Sequence, residues 1–205
     1  MRYEGVNPGE HPEFVVVGLG NPGAPFVFTR QNAGYKVIEY VDSTARNAYD
    51  FRKKRFLSLE DKCIVDEHLV DCFKPQLQMI NCGLAVRTIL EYYCFTPDRL
   101  VVIHDDVNLP LGKFKISTGS GSVGHKGVDS IIMHLRSKNF KCVHIGVGDV
   151  PEDMTAREHL LSNFSIEEYD ILEKVSRVIV YAISAMFEYG MNDAMEAFNH
   201  TVQIK

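Results

Sequence analysis

Short apolar runs rich in β-branched residues alternate along the chain with segments whose apolar residues recur every three or four positions. The first run, Phe14-Val-Val-Val-Gly-Leu-Gly20, is continuous. Such a run is expected of a strand buried on both faces of a parallel sheet. A glycine and proline stretch follows from Asn21 to Pro25. Ala33, Val37, Val41 and Ala45 then share one helical face, which predicts a helix starting near Thr29. Phe56–Glu60 and Lys62–Lys74 read as short strands, with Asp66-Glu67 closing a hairpin. Asn81 is placed to cap a helix with the apolar face Leu84, Ile89, Leu90 and Tyr93, ended by Pro97. Leu100-Val-Val-Ile103 and Val143–Val147 repeat the buried-strand pattern, Lys113–Ser117 is a further strand, and His125–Leu135 is helical. Ser165-Ile-Glu-Glu168 has the form of a capping box, and Ile171, Leu172, Val175, Val178, Ile179, Ala182 and Ile183 follow at helical spacing.

Strands alternating with helices predict an α/β fold: a single-domain three-layer sandwich, with a twisted mixed (mostly parallel) sheet between helices. The domain is expected over residues 14–205, after an extended arm over residues 1–13 that holds prolines and glycines. Ligands of such sheets bind beyond the carboxyl ends of the strands, where the segments 18–34, 75–83 and 103–127 converge. Thr118–Gly124 has three glycines and three hydroxyl residues and is expected to be a mobile loop gating that cleft.

Charge and cysteine content narrow the chemistry. Twenty-two basic against 27 acidic residues give a net charge of −5, so any contact with nucleic acid must come from a local basic patch. The five cysteines, Cys63, Cys72, Cys82, Cys94 and Cys142, include no C-x-x-C pair. That argues against a zinc ribbon or a disulfide framework and for reduced, mostly buried thiols. The N-terminus lacks an apolar signal core, and no apolar run is long enough to cross a bilayer. A cytoplasmic location with no membrane partner is expected, an organelle remaining open.

Gly18-x-Gly20-x-x-Gly23 matches the dinucleotide-binding fingerprint, and Asp42 lies near the distance of a ribose-binding acid. The context does not fit. Pro22 and Pro25 delay the helix whose N-terminus should hold the pyrophosphate, and Asp42 falls inside a helical pattern.

The three segments together resemble the bacterial-type peptidyl-tRNA hydrolase family. Val17-Gly-Leu-Gly-Asn-Pro-Gly23 is similar to its opening strand and loop, and Thr29-Arg-Gln-Asn-Ala-Gly34 to its T-R-H-N-A-G. Met79-Ile-Asn-Cys-Gly83 resembles M-N-L-S-G, and His104-Asp-Asp-Val-Asn-Leu-Pro-Leu-Gly112 with Lys113-Phe-Lys115 resembles H-D-E-L-D-L-P-P-G with its following K-F-K. Gly124-His-Lys-Gly127 is similar to G-H-N-G, Ile145-Gly-Val-Gly148 to I-G-I-G, and Asp193-Ala-Met-Glu-Ala-Phe-Asn199 to the C-terminal helix. The motifs run in order from about residue 14 to residue 199.

The resemblance implies cleavage of the ester between peptide and tRNA. A histidine acts as general base on water, a carboxylate orients it, and side-chain amides hold the peptide and the developing oxyanion. It implies no metal and no other cofactor. Carried over position by position, Asp105 is the orienting carboxylate, Asn21 the amide of the first loop, Met79 the methionine, and Phe26 the aromatic behind the acceptor-end adenosine. His125 stands in the substrate-binding G-H-N-G motif. Lys113 and Lys115 share a strand face and resemble a clamp for acceptor-stem phosphates; otherwise they are a solvated strand face. Four positions depart from the family. The base histidine falls on Gln31, an amide on Ile80, another on Lys126, and the aromatic before the methionine on Gln78. Asn81 would bring an amide back only by a one-residue shift, and Met79 and Gly83 keep the family spacing without one.

Glutamine has no titratable nitrogen near neutral pH. The expectation is therefore a protein that keeps the tRNA- and peptide-binding cleft, has lost or strongly impaired hydrolysis, and binds the tRNA acceptor end, another RNA or the ribosome. The alternative is an active hydrolase with a rearranged site, in which His125 or His104 replaces the base. Asp105 otherwise caps a turn. A monomer is expected, and Arg52-Lys-Lys-Arg55 reads as a solvated loop.

Overall fold

The computed structural model describes residues 12–44, 53–65, 68–119, 121–122, 124–200 and 204. Within them seven strands form one sheet: β1 (Phe14–Gly18), β2 (Lys53–Arg55), β3 (Ser58–Val65), β4 (His68–Pro75), β5 (Leu100–Asp106), β6 (Phe114–Thr118) and β7 (Lys141–Gly146). Their order across the sheet is β2-β3-β4-β1-β5-β7-β6. The pairs β4–β1, β1–β5 and β5–β7 are parallel. The flanking pairs β2–β3, β3–β4 and β6–β7 are antiparallel. The expected mixed sheet holds, with parallel pairing confined to its four central strands.

The continuous apolar runs lie where both faces are covered. Val16, Val101 and Ile103 face α1 (Ala33–Thr44) and α5 (Ile166–Glu188), in the core that also receives α6 (Met191–Phe198). Val15, Val17, Leu100 and Val102 face α2 (Cys82–Tyr93) and α3 (Lys126–Leu135). Burying such side chains on both faces is the main favourable contribution to folding. The short α4 (Ala156–Leu161) opens on a capping box at Thr155, and α5 on the one expected at Ser165.

One contact places the site. A Cβ on Gly34 would lie 2.4 Å from the Ile103 carbonyl oxygen, and one on Gly18 would lie 2.3 Å from the Gly34 carbonyl oxygen. Only glycine lets the first turn of α1 sit directly against the carboxyl ends of β1 and β5. That approach holds residues 29–33 over the strand ends.

Several sequence expectations change. The α-helix begins at Ala33, not near Thr29, because Arg30–Asn32 form a 3₁₀ turn and Thr29 bridges to Asn163. In α2 the buried stripe is Cys82, Ala85, Val86, Ile89, Leu90 and Tyr93, and Leu84 turns outward at 38% exposure. Asn81 occupies the N-cap of α2 without a side-chain bond, since the preceding turn Met79–Asn81 supplies the Met79 carbonyl to Cys82. That helix ends at the left-handed Cys94, and Pro97 opens a separate turn. Lys53–Arg55 is an edge strand and not a loop: the Arg55 guanidinium lies over Phe56 and Tyr92 at 4.4 and 4.2 Å. Asp42 falls within α1, as the mismatch with a dinucleotide site requires. The arm over residues 1–11, Arg52, the turn at Asp66-Glu67, and Ser120 and Val123 of the glycine-rich segment lie outside the described residues.

Candidate active site

The loop after β1 and the turn before α1 are tied by a reciprocal amide pair. The Asn21 backbone N–H donates to Asn32 Oδ1 at 2.8 Å, and Asn32 Nδ2 donates to the Asn21 carbonyl at 3.0 Å. The Asn21 side chain reaches the other way. Its Oδ1 accepts from the Met79 N–H at 2.9 Å, and its Nδ2 donates to Gln31 Oε1 at 3.0 Å. Asn21 thus joins two of the three segments singled out in the sequence, 18–34 and 75–83. Gln31 is left presenting Nε2, which is buried and has no partner among the described residues. That group can donate to a carbonyl but cannot take a proton.

Arg30, beside it, is a structural clamp. Its guanidinium donates to the Val147 carbonyl at 2.8 Å, to both Glu168 carboxylate oxygens at 2.8 and 2.7 Å, and to Ser162 Oγ at 3.2 Å. A planar fork suits this set, which fastens the turn to the end of β7 and to the start of α5.

Asp105 lies at the end of β5, and His125 is the N-cap of α3. His125 Nε2 lies 3.1 Å from Asp105 Oδ1; the carboxylate is buried and the imidazole is 11% exposed. His125 Nδ1 accepts from the backbone N–H groups of Gly127 and Val128 at 3.2 and 3.3 Å. These partners define the tautomer. Backbone N–H groups only donate, so Nδ1 offers its lone pair, and the proton sits on Nε2 and is donated to the carboxylate. Burial works against the cation, but the charge and hydrogen bond of Asp105, helped by Asp106 and Asp129, raise the His125 pKa above its ordinary value. Both ring nitrogens are committed.

Of the other expected residues, Met79 comes up to this pair. A Cβ on Gly127 would meet Met79 Sδ at 2.7 Å and His125 Cε1 at 3.1 Å, so the Met79 thioether and the His125 ring converge beneath the start of α3. Ile80 is 53% exposed on the turn before α2 and offers no polar group. Phe26 is half-buried in the turn Ala24–Phe26. Lys126 is exposed in the first turn of α3. Beside Asn21 is a cavity of about 140 Å³ whose walls include Asn32, Tyr35, Lys36, Lys74 and Gln76. Lys113 and Lys115 are exposed and lie apart from the cluster. They line a groove of about 580 Å³ between β6 and α6, with Asn199 and His200 opposite.

His104 follows the sheet into the α2/α3 side and packs its ring on His125, centroids 4.6 Å apart, and on His144, centroids 4.5 Å apart. Burial, then the two neighbouring rings, push its pKa well below the usual histidine value, so it is neutral.

The sequence of this chain matches the profile of the family described as peptidyl-tRNA hydrolase over residues 15–205. The chain belongs to the peptidyl-tRNA hydrolase family. It is 36% identical over 186 residues to the peptidyl-tRNA hydrolase of Clostridium acetobutylicum, covering 91% of this chain and 97% of the relative. To that of Thermotoga maritima it is 34% identical over 185 residues, covering 90% and 96%. Among solved structures, a single-substitution mutant of the Acinetobacter baumannii peptidyl-tRNA hydrolase superposes with a TM-score of 0.83 at 23% identity, covering 93% of this chain and 96% of that one. This last likeness concerns the fold.

The cluster of Asn21, Gln31, Met79, Asp105 and His125 comes from loops and strand ends that the sequence motifs of the family mark in advance. The row of rings from His125 through His104 to His144, and the Asp106 carboxylate 3.4 Å from His144 Nδ1, were not anticipated. Their signal was the alternate spacing Cys142-x-His144 on β7. The register that sets His144 opposite His104 depends on a non-local pairing.

Proposed function

We propose that this chain keeps the tRNA- and peptide-binding cleft of its family, with ester hydrolysis lost or strongly impaired, and acts in the cytoplasm as a binding protein for the tRNA acceptor end or for ribosome-associated RNA. The observation that carries this reading is the commitment of His125. The resemblance puts the base at position 31, where Gln31 has no titratable nitrogen. His125, the ring bonded to the Asp105 carboxylate, has one nitrogen on the α3 N-terminus and the other on that carboxylate. A general base needs a free lone pair within reach of water. Asn21, Gln31 Nε2 and Met79 are left as groups that bind, and Lys113 and Lys115 as groups for phosphate.

The second reading is an active hydrolase with His125 as base. A histidine oriented by a buried aspartate is the usual form of such a pair, and its pKa is raised. It requires Nδ1 to leave the helix cap in the substrate complex.

Hydrolysis of an N-blocked aminoacyl-tRNA separates the two. The wild-type protein should bind this substrate and release little or no amino acid beyond the uncatalysed rate. Robust turnover that disappears in a folded, tRNA-binding His125→Ala protein would overturn the proposal and make His125 the base.

A further inference from the structure

On β7, Cys142 and His144 alternate onto the same face, and the β5–β7 register sets His104 directly opposite His144. On the other side, the β6–β7 register sets Ser117 opposite Cys142. His104, Cys142 and His144 are all buried, at 2%, 1% and 5% exposure, and their donor atoms lie within 4.8 Å of one another.

The hydrogen bonds decide which nitrogens are available. His104 Nδ1 lies 2.8 Å from the Asp105 carbonyl oxygen, which can only accept. The proton of this neutral ring is therefore on Nδ1, and Nε2 carries a bare lone pair. That Nε2 is buried and has no hydrogen-bond partner among the described residues. His144 is arranged in the same sense. Its Nδ1 faces Asp106 Oδ2 at 3.4 Å, and its Nε2 faces Ser117 Oγ at 2.8 Å. An imidazole whose outer N–H is held by a carbonyl or a carboxylate, with its inner nitrogen turned into a pocket, is the form taken by metal-bound histidine.

We infer that His104 Nε2, His144 Nε2 and Cys142 Sγ form a binding site for a divalent zinc-class ion, with the Ser117 hydroxyl at the fourth position. Two imidazoles and a thiol suit zinc or cobalt and not the all-oxygen preference of magnesium or calcium. An oxygen at the fourth position favours zinc over copper, whose comparable sites add a soft thioether. Tetrahedral zinc sets such donors about 3.3–3.6 Å apart, so the two imidazoles and the thiol, within 4.8 Å of one another, must close by roughly 1 Å, while the Ser117–His144 pair, at 2.8 Å, must open by about 0.5 Å. On binding, the Cys142 thiol gives its proton to solvent and the thiolate takes the ion, with no change of oxidation state. Asp106 stays in place as the acceptor for His144. The site is separate from Asn21, Gln31 and Met79 and meets the proposed cleft at the His104–His125 ring contact and at the bond from His104 Nδ1 to the Asp105 carbonyl.

The test uses the full chain, reduced and stripped with a chelator, and titrated with Co(II). The wild-type protein should take up one equivalent, showing tetrahedral visible bands and a thiolate-to-cobalt charge-transfer band, and Zn(II) should then bleach both. Cys142→Val keeps an apolar side chain of similar size. It should lose the charge-transfer band and bind Zn(II) more than about tenfold more weakly. Cys94→Ser, which removes the exposed thiol, should leave band and affinity unchanged. Excess Zn(II) should raise the melting temperature of the wild-type protein and not of Cys142→Val. A wild-type protein with no charge-transfer band would overturn the site, whatever the variants do. So would a band that survives Cys142→Val or vanishes in Cys94→Ser.

Discussion

Replacing His125 by alanine removes two things at once. The first is the cap on α3, where Nδ1 accepts from Gly127 and Val128. Loss of an N-cap side chain costs about 1 kcal/mol, within a range of roughly 0.5–2. The second is the partner of Asp105, a carboxylate only 3% exposed. A buried acceptor left without its donor costs about 1–3 kcal/mol. Together the change should destabilise the fold by about 2–4 kcal/mol. For a chain of this size that lowers the melting temperature by roughly 5–15 °C. Urea unfolding should show a lower midpoint with an unchanged slope. Asp105→Ala in the same background removes the stranded carboxylate, so the double variant should cost less than the sum of the two singles by about 1–2 kcal/mol. A His125→Ala cost under about 0.5 kcal/mol, or strict additivity with Asp105→Ala, would refute the claim that His125 is committed to cap and carboxylate. The same experiment bears on function. A histidine standing free as a base would show its loss in rate, whereas a capping histidine shows it in stability.

Other outcomes follow from particular residues. Gln31→His with Ile80→Asn should gain hydrolysis of N-blocked aminoacyl-tRNA over the wild type, and Asp105→Asn in that background should abolish the gain; equal rates in all three proteins would remove position 31 from the site. Lys113→Ala with Lys115→Ala should flatten the salt dependence of tRNA binding by about two phosphate contacts, an unchanged slope making these lysines bystanders. Burial opposes the Glu39 charge, but Lys74 and Lys36 hold its pKa below the usual carboxylate value. Its contribution is therefore complete above pH 4.5 and lost as the pH falls through the lower folded value, so Glu39→Gln should flatten the acid limb of the stability curve, and an unaltered limb would show the pairing to be without effect.

The central strands were legible because parallel strands must be apolar on both faces, and continuous runs such as Val15–Val17 and Leu100–Ile103 suit a doubly covered strand better than any half-exposed element. The start of α1 was less so. Helical periodicity from Ala33 onward is sound, but Arg30 and Asn32 are drawn out of the helix by bonds to Val147 and Glu168, far away in sequence, and to Asn21, in the preceding loop. The motifs brought the right segments to one edge, as the Asn21 bonds to Gln31 and Met79 show. What spacing along the chain could not supply was the choice of partner. An aspartate at a strand end can orient several rings, and which ring it meets depends on where α3 begins. Leu84 shows the same limit on a smaller scale: its spacing admits either side of α2, and only packing against α3 selects Val86 for the interior.

Asp105 does two different jobs through two different groups. Its carboxylate receives the His125 N–H, and its backbone carbonyl receives His104 Nδ1. The first bond turns an imidazole away from water and onto a helix end; the second turns one toward Cys142 and His144. This division makes retention of the aspartate weak support for retained hydrolysis. In a base–orienter pair the carboxylate is worth keeping only while the base is present. Here it has a buried partner and a helix cap to maintain whatever stands at position 31, and losing it would strand His125 as well. The groups with a second structural duty are Asn21, Asp105 and His125, each tied into backbone hydrogen bonds or a buried pair. Gln31, half-buried, and Ile80 and Lys126, both exposed, are positions where the resemblance implies a departure, and none of the three carries such a tie from its side chain to the backbone among the described residues.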